Sequence, residues 1–399
     1  MSDVVASRLA ASLDRLGTES AFSVLARAKE LERDGRDVIH LEIGEPDFDT
    51  PAHVCEAAFA AMRAGHTHYC PSAGMPELRE AAAAYLSNSR TLNIPPARVL
   101  IANGAKPFLF FTILAVCNPG DEVIYPDPGF PIYESAISWA GAVPVPLPLH
   151  EDNDFVFDVG ELEARLSERT KLVILNSPHN PTGGVIDPAT IDDTAALLQQ
   201  SDAWVLSDEV YWRLVYDGEF ASIASRPGML DRTILLDGLS KAYAMTGWRC
   251  GFAAVPEPLI DPLVRFFINS TSCVPPFVQL AGVAALKGPQ NSVDAMLAEF
   301  RIRRRLVVDR LNEMPGITCR YPAGAFYAFP NVGSLPIGAD ELANRLLEDA
   351  GVALLAGSAF GQIGLNNLRI SYANSQTNLE RALDRVADVV ERLARSDVA

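Results

Sequence analysis

Arg232 to Pro256 reads RTILLDGLSKAYAMTGWRCGFAAVP. An apolar run of strand length closes on Asp237-Gly238, a loop of small residues carries Lys241, and a second run, CGFAAVP, starts just after Arg249. Short apolar runs bounded by glycine and polar turns read as buried strands. The stretch therefore predicts two strands whose junction presents one lysine and one arginine.

The same texture extends outward. From about residue 98, RVLIANG, DEVIYPD, AVPVPLPL, KLVILNSP and AWVLSDE precede this stretch, separated by helical segments such as PIYESAISWA, FDVGELEARLSER and PATIDDTAALLQQ. Seven such runs alternating with helices predict an α/β fold with a mostly parallel seven-stranded sheet between helices. Beyond residue 290 a charged helical stretch, GAFYAFP, DELANRLLEDAG, NLRISYA and a last helix read as a smaller α+β domain. A helix around Phe22 to Gly35 is expected to join that smaller unit, because the chain enters the large domain only after GEPDFDTP. The expected division is an N-terminal segment over 1–45, a large domain over 46–288 and a small domain over 289–399.

Composition narrows the class. A net charge of −17 argues against a nucleic-acid partner, since phosphate backbones require basic surface. Six scattered cysteines without a CxxC pair fit a reducing compartment. The first residues lack the pattern of a signal peptide, and the most apolar stretch, PFLFFTILAVC over 107–117, is too short to span a membrane. It reads as a buried helix in a soluble cytoplasmic protein.

In sheets of this kind ligands bind outside the carboxyl ends of the strands, so the residues after each run are the candidates. Gly104-Ala105-Lys106 precedes a helix starting near Pro107 and either holds an anion on free helix amides or merely connects strand to helix. Phe130, in a Pro/Gly-rich loop, either covers a flat heterocycle or tucks into the core. NSPHNPTGG fixes its backbone with two prolines and two glycines and holds out the amide of Asn180. Asp208 and Glu209 follow a buried strand, where a carboxylate needs a compensating partner, functional or structural. Lys241 either sits in solvent or uses the one property arginine lacks, loss of its proton to attack a carbonyl. Of 33 basic residues only five are lysine, so this chain writes arginine where charge alone suffices.

Taken together, an amine, an acidic group, a flat aromatic, an amide, an anion-binding turn and an arginine all follow strands of one sheet. That set matches pyridoxal phosphate. Its aldehyde needs an amine, its pyridinium nitrogen an acid, its ring a stacking face and its phosphate amides with a guanidinium.

Eight motifs (GEPDFDTP, HYCPSAGMPELREA, NPGDEVIYPDPGFPIY, NSPHNPTGG, SDEVY, SKAYAMTGWRCG, GAFY and LRISYA) stand in one order between Ile39 and Asn378. By these the chain resembles the fold-type I, pyridoxal-phosphate-dependent class I/II aminotransferases, in their aspartate aminotransferase-like branch. The resemblance implies that Lys241 forms the internal imine and then shuttles a proton as general acid/base. It implies that Asp208 pairs with the pyridinium nitrogen, that Tyr211 and Asn180 bond the ring hydroxyl, and that Phe130 stacks on the ring. It gives the phosphate to Gly104, Ala105, Lys106, Ser240 and Arg249, with Tyr69 reaching in from a neighbouring subunit of a homodimer with shared active sites. Arg369 clamps the substrate α-carboxylate, and Gly44 and Asn180 line the same pocket.

Two positions depart from the family's habit. Gly238 stands where Ser or Thr is common, leaving Ser240 as the nearest hydroxyl. Lys106 stands where many relatives carry Ser or Thr. It resembles the lysine of aspartate- and prephenate-type enzymes, where it meets a distal carboxylate, or else it faces only phosphate or solvent.

The implied activity is transfer of an amino group between an L-amino acid and a 2-oxo acid by a ping-pong route, with aspartate- or glutamate-like donors favoured. The competing expectation keeps the cofactor and changes the outcome to elimination, replacement, cyclisation or C–C bond formation. A DNA-binding regulator on this fold is disfavoured because residues 1–35 are short and not basic enough. A nicotinamide dehydrogenase is disfavoured because no G-x-G-x-x-G follows any strand.

Overall fold

A computed structural model describes residues 9–396; residues 1–8, the start of the expected N-terminal segment, and 397–399 lie outside the described residues. After a short first strand, β1 (Ile39–His40), the seven predicted runs all become strands. They are β2 (Val99–Ala102), β3 (Glu122–Asp127), β4 (Val143–Pro148), β5 (Thr170–Asn176), β6 (Trp204–Asp208), β7 (Thr233–Gly238) and β8 (Gly251–Ala254). They form one sheet in the order β2-β8-β7-β6-β5-β3-β4.

The central strands are buried on both faces, which is why they read as continuous apolar runs. In β5, Leu172 and Ile174 share a cluster with Phe108 and Ile113, whereas Val173 and Leu175 share another with Ile191 and Leu198. Successive side chains thus supply opposite layers, each fully buried one contributing roughly 1.5–3 kcal/mol.

Strand β8 runs antiparallel to both β2 and β7, and every other pairing is parallel. Six strands therefore end on the same edge, and β8 begins there. That single reversal brings Arg249, which precedes β8, to the edge where Lys241 leaves β7. In register, Gly251 faces both Ala102 and Gly238.

The remaining strands are β9 (Tyr327–Ala328), β10 (Val352–Ala353), β11 (Leu355–Ala356) and β12 (Leu368–Ser371). β1 pairs in parallel with β10, and β11-β12-β9 form an antiparallel sheet. Ala28 and Leu31 of the helix Ser20–Arg33 cluster with Leu347 and Ala353. Among the described residues no helix is long and apolar enough to cross a membrane. The apolar stretch forms the helix Lys106–Val116, with Phe108, Leu109, Thr112 and Ile113 buried and Phe110 and Phe111 half-buried.

One helix is shorter than its periodicity suggests. FDVGELEARLSER yields only Val159–Glu163, capped by Asp158 on the amides of Gly160 and Glu161. Arg165 then donates from Nε to the Pro146 carbonyl, and the chain turns toward β5.

Candidate active site

Along the edge where the strands end lies a cavity of about 930 Å³, lined by residues from β5, β6, β7, the loop 43–47 and the helix Ser20–Arg33. Lys241 stands in it, one residue into the second half of the four-residue helix Leu239–Ala242 that follows β7. Its Nζ donates to the Gly44 carbonyl at 2.5 Å. Burial, then the nearby charges of Arg369, Lys106 and Arg249, lower its pKa to about 8 against the pull of Glu45. An amine so placed loses its proton near neutrality, as a nucleophile must.

Asp208, the last residue of β6, is buried. Its Oδ2 accepts from the Tyr133 hydroxyl at 2.7 Å, and its Oδ1 is buried without a partner. Burial raises its pKa to about 6, against the Tyr133 bond and the Val210 amide. Among the described residues no cation is paired with it. Its neighbour Glu209 has the structural partner instead: Arg90 Nε at 3.0 Å, with Ser207 and Ser222 donating to the other oxygen. The sequence offered both readings for this pair of acids, and each acid takes one.

The helix Lys106–Val116 begins at the cavity wall, with Ala105 before it and Gly104 at φ +91°. A Cβ at Gly104 would lie 2.4 Å from Arg249 Nη2, so the guanidinium rests directly over the helix start. Arg249 is itself at φ +53° and is held by the Thr246 carbonyl at 3.0 Å. Gly251 permits this approach, since a Cβ there would meet the Gly104 carbonyl carbon at 2.6 Å and the Ala105 nitrogen at 2.8 Å. Free amides at a helix start under a guanidinium form an anion cup. Ser240 and Gly238 also line the cavity.

The same cavity is lined by Arg369 of β12, 4% exposed. Its Nη1 donates to Asn180 Oδ1 at 3.1 Å, its Nη2 to the Glu42 carbonyl, and its Nε is buried without a partner. The guanidinium carbon sits 4.6 Å from the Tyr327 ring centre and 4.9 Å from that of Phe360. Asn180 is placed by its amide, which donates to Asn176 Oδ1 at 3.0 Å, while Asn176 Nδ2 ties the same loop to the Asp208 carbonyl at 2.9 Å. Tyr211 bonds Tyr327 through their hydroxyls at 2.7 Å.

The cavity thus gathers Gly44, Ala105, Lys106, Phe130, Asn180, Asp208, Tyr211, Ser240, Lys241, Arg249 and Arg369, with Gly104 beneath Arg249. Tyr69 is not among them; it is 89% exposed. Lys106, partly exposed, is ion-paired with Glu19 and lies 5.5 Å from the Phe130 ring centre. Tyr133, Tyr327, Glu19 and the residues around Glu42 were missed from sequence. Tyr133 and Tyr327 do stand inside the quoted motifs PGFPIY and GAFY, where a buried tyrosine requires a hydroxyl partner.

The residues fit pyridoxal phosphate on the structure's own terms. An orphaned carboxylate oxygen, an amine of lowered pKa and an anion cup share one cavity, and this defines the class as a pyridoxal-phosphate enzyme of fold type I. Comparison with known proteins agrees. The family Aminotransferase class I and II matches residues 36–386, and the chain belongs to it. An aspartate aminotransferase from Pyrococcus abyssi is 42% identical over 89% of this chain and 92% of its own. Aromatic-amino-acid aminotransferase 2 from Thermococcus litoralis is 40% identical over 89% and 92%. The crystal structure of the Rhizobium meliloti aspartate aminotransferase superposes with a TM-score of 0.92 at 37% identity, covering 97% of this chain and 99% of that one. The protein is a pyridoxal-phosphate-dependent aminotransferase acting on an amino acid and a 2-oxo acid. Nothing found favours the elimination or C–C bond-forming alternative.

Proposed function

We propose that this enzyme transfers the amino group of an acidic L-amino acid, aspartate or glutamate, to a 2-oxo acid through the residues gathered at the strand ends. When bound, pyridoxal phosphate supplies an aldehyde for covalent attachment and a ring that draws electron density from the substrate. Lys241 provides the attaching amine and then, displaced by substrate, carries the proton taken from the substrate Cα. Asp208 Oδ1, left without a partner, would accept a hydrogen bond from the protonated ring nitrogen, and Tyr133 keeps that carboxylate aimed. Tyr211 and Asn180 would hold the ring hydroxyl, Phe130 would cover the ring face, and the Ala105 and Lys106 amides after Gly104, with Ser240 and Arg249, would hold the phosphate. Arg369 takes the α-carboxylate as a two-pronged pair, with Gly44 on the same wall.

The observation that carries the acidic-substrate reading is Lys106, a further cation in the cavity that holds Arg369, Lys241 and Arg249. The names of several relatives agree with it. A neutral or aromatic donor is the second reading: it leaves the Lys106–Glu19 pair intact and rests on the rings of Phe22 and Phe130, each within 6 Å of Lys106 Nζ. Mixing purified enzyme with single amino acids and following loss of the cofactor's aldehyde-form absorbance decides between them. Conversion by aspartate and glutamate ahead of phenylalanine supports the first reading, and the reverse order supports the second.

The assembly belongs to the same reading. Tyr69 is 89% exposed. A homodimer in which Tyr69 reaches the phosphate of the other subunit would give that side chain a partner. The division at residues 45 and 288 and a cytoplasmic location, suggested by the scattered cysteines, complete the proposal.

A further inference from the structure

We propose that the buried carboxylate of Glu42 and the half-buried His40 form an ion pair that positions Arg369 for the substrate carboxylate; the inference rests on the role given to Arg369 above. Arg369 lies in a slot between the Tyr327 and Phe360 rings, which fixes the plane of its guanidinium. Within that plane its orientation depends on two acceptors, Asn180 Oδ1 and the main-chain carbonyl of Glu42. The second acceptor belongs to the segment that continues β1. That segment is pinned on one side by Leu41, whose amide donates to Ala353 at 2.8 Å, and on the other by Ser371, whose amide donates to Leu41 at 2.9 Å. Asn374 Nδ2 adds a bond to the His40 carbonyl at 3.0 Å.

The Glu42 side chain is what this arrangement does not otherwise explain. It is fully buried, and its Oε2 has no partner. An isolated carboxylate in such a place is strongly disfavoured unless a counter-charge accompanies it. His40 supplies one: Nδ1 lies 2.7 Å from Glu42 Oε1, and Nε2 lies 3.1 Å from Oε1 of Glu32 on the helix Ser20–Arg33. Glu42 above all, then Glu32, raise the His40 pKa above its ordinary value, against the opposing effect of burial. The charged groups facing His40 are thus Glu42 on its own segment and Glu32 on the helix, with Lys29 held 2.8 Å from the other oxygen of Glu32. Burial works against the charge of Arg369, and Glu42 is one of the groups, after Tyr327, Tyr211 and Glu19, that favour the guanidinium cation. Glu42 therefore acts on Arg369 chiefly through its carbonyl as an aiming contact and to a smaller degree through its carboxylate as one of several favourable charges. Both are positioning roles, since neither His40 nor Glu42 touches the reacting atoms.

The test is the single-turnover half-reaction of the holoenzyme with its best amino donor, read as a half-saturation constant and a limiting rate. Glu42→Gln keeps the shape and removes the charge; it is expected to raise half-saturation about tenfold, the scale of one charge-assisted contact, while the limiting rate changes by less than about threefold. His40→Asn, nearer the surface, is expected to act in the same direction, and the double variant to be no worse than Glu42→Gln, because the two act as one unit. In the wild type half-saturation should rise as pH climbs past the raised His40 pKa, for Glu42 then loses its counter-ion. In Glu42→Gln that alkaline rise should vanish. Unchanged half-saturation in both single variants overturns the proposal, as does a parallel fall in limiting rate, cofactor affinity and melting temperature. Arg369→Lys separates the two readings. If it too leaves half-saturation unchanged, the role of Arg369 has failed; if it alone raises it, only the His40–Glu42 proposal has failed.

Discussion

The hydroxyl of Tyr133 donates to Asp208 Oδ2 at 2.7 Å and leaves Oδ1 buried with no partner. Half of a carboxylate is thereby satisfied and half is left open, which on the role proposed for Asp208 would face a cationic ring nitrogen. The cost falls on the apoprotein. The Asp208 pKa is raised to about 6, so above that pH the folded chain holds a charge it would rather not bury. Asp208→Asn is therefore expected to raise the apoprotein's stability at pH 7.5 by up to about 3 kcal/mol, with the gain fading as pH falls from 6 toward 4. It should at the same time lower the transamination rate at least a hundredfold. Denaturant melts of apo and holo protein at the two pH values measure this; a destabilised Asp208→Asn apoprotein would contradict it.

How far the sequence could take this reading is visible in the same pair. Asp208 was legible because it follows a buried strand, and buried parallel strands are continuous apolar runs with sharp glycine or proline ends. All seven runs became strands for that reason. Tyr133 looked like one more residue of an amphipathic helix, since its partner lies 75 positions away and nothing local encodes the contact. The Arg369–Glu42 contact spans 327 positions and was equally hidden. Helix length was misread at FDVGELEARLSER because periodicity cannot register the Arg165–Pro146 contact beyond its early end.

Lys241, with its pKa lowered to about 8, should capture the cofactor aldehyde in a pH-dependent way. The reactive amine is the neutral one, so the rate of reconstitution of apoenzyme should rise with pH and level off above about 8. Stopped-flow absorbance after mixing apoenzyme with pyridoxal phosphate measures it. A profile still climbing steeply at pH 10 would indicate an unperturbed lysine. Lys241→Ala should bind the cofactor without covalent attachment.

Glu19 is ion-paired with Lys106, so on the proposed reading an acidic substrate would have to displace it. Glu19→Gln is expected to lower half-saturation for aspartate severalfold, and Lys106→Ala to raise it about tenfold, with alanine changed by less than twofold in both. Half-reaction kinetics with the two donors provide the comparison. Equal shifts for aspartate and alanine would remove Lys106 from substrate selection.

Gly251 lets the start of the helix Lys106–Val116 approach β8, because any Cβ there meets the Gly104–Ala105 peptide inside 3 Å. Backbone atoms cannot swing aside as a flexible side chain can. Gly251→Ala should therefore weaken pyridoxal-phosphate affinity by at least tenfold through the displaced phosphate amides, while pyridoxal lacking the phosphate loses much less. Equilibrium titration of the apoprotein with both compounds tests the cup directly; equal losses would place the damage elsewhere.

Tyr69 is exposed and outside the cavity of its own chain, whereas Lys241 lines it, so the proposed shared-site dimer would draw one from each chain. Tyr69→Phe and Lys241→Ala then cripple different halves of the same site. In a hybrid of the two variants, the subunit that retains Lys241 receives an intact Tyr69 from its partner, and one of the two sites is whole. Equal mixing with free exchange makes half of all dimers hybrids, so activity should return to about a quarter of wild type for a two-fold assembly. Each variant alone, mixed with itself, should show no such recovery. Measuring activity after dissociation and re-association, with sedimentation to confirm the dimer, decides the point. Recovery no greater than the mean of the two variants would mean that Tyr69 serves its own chain or none.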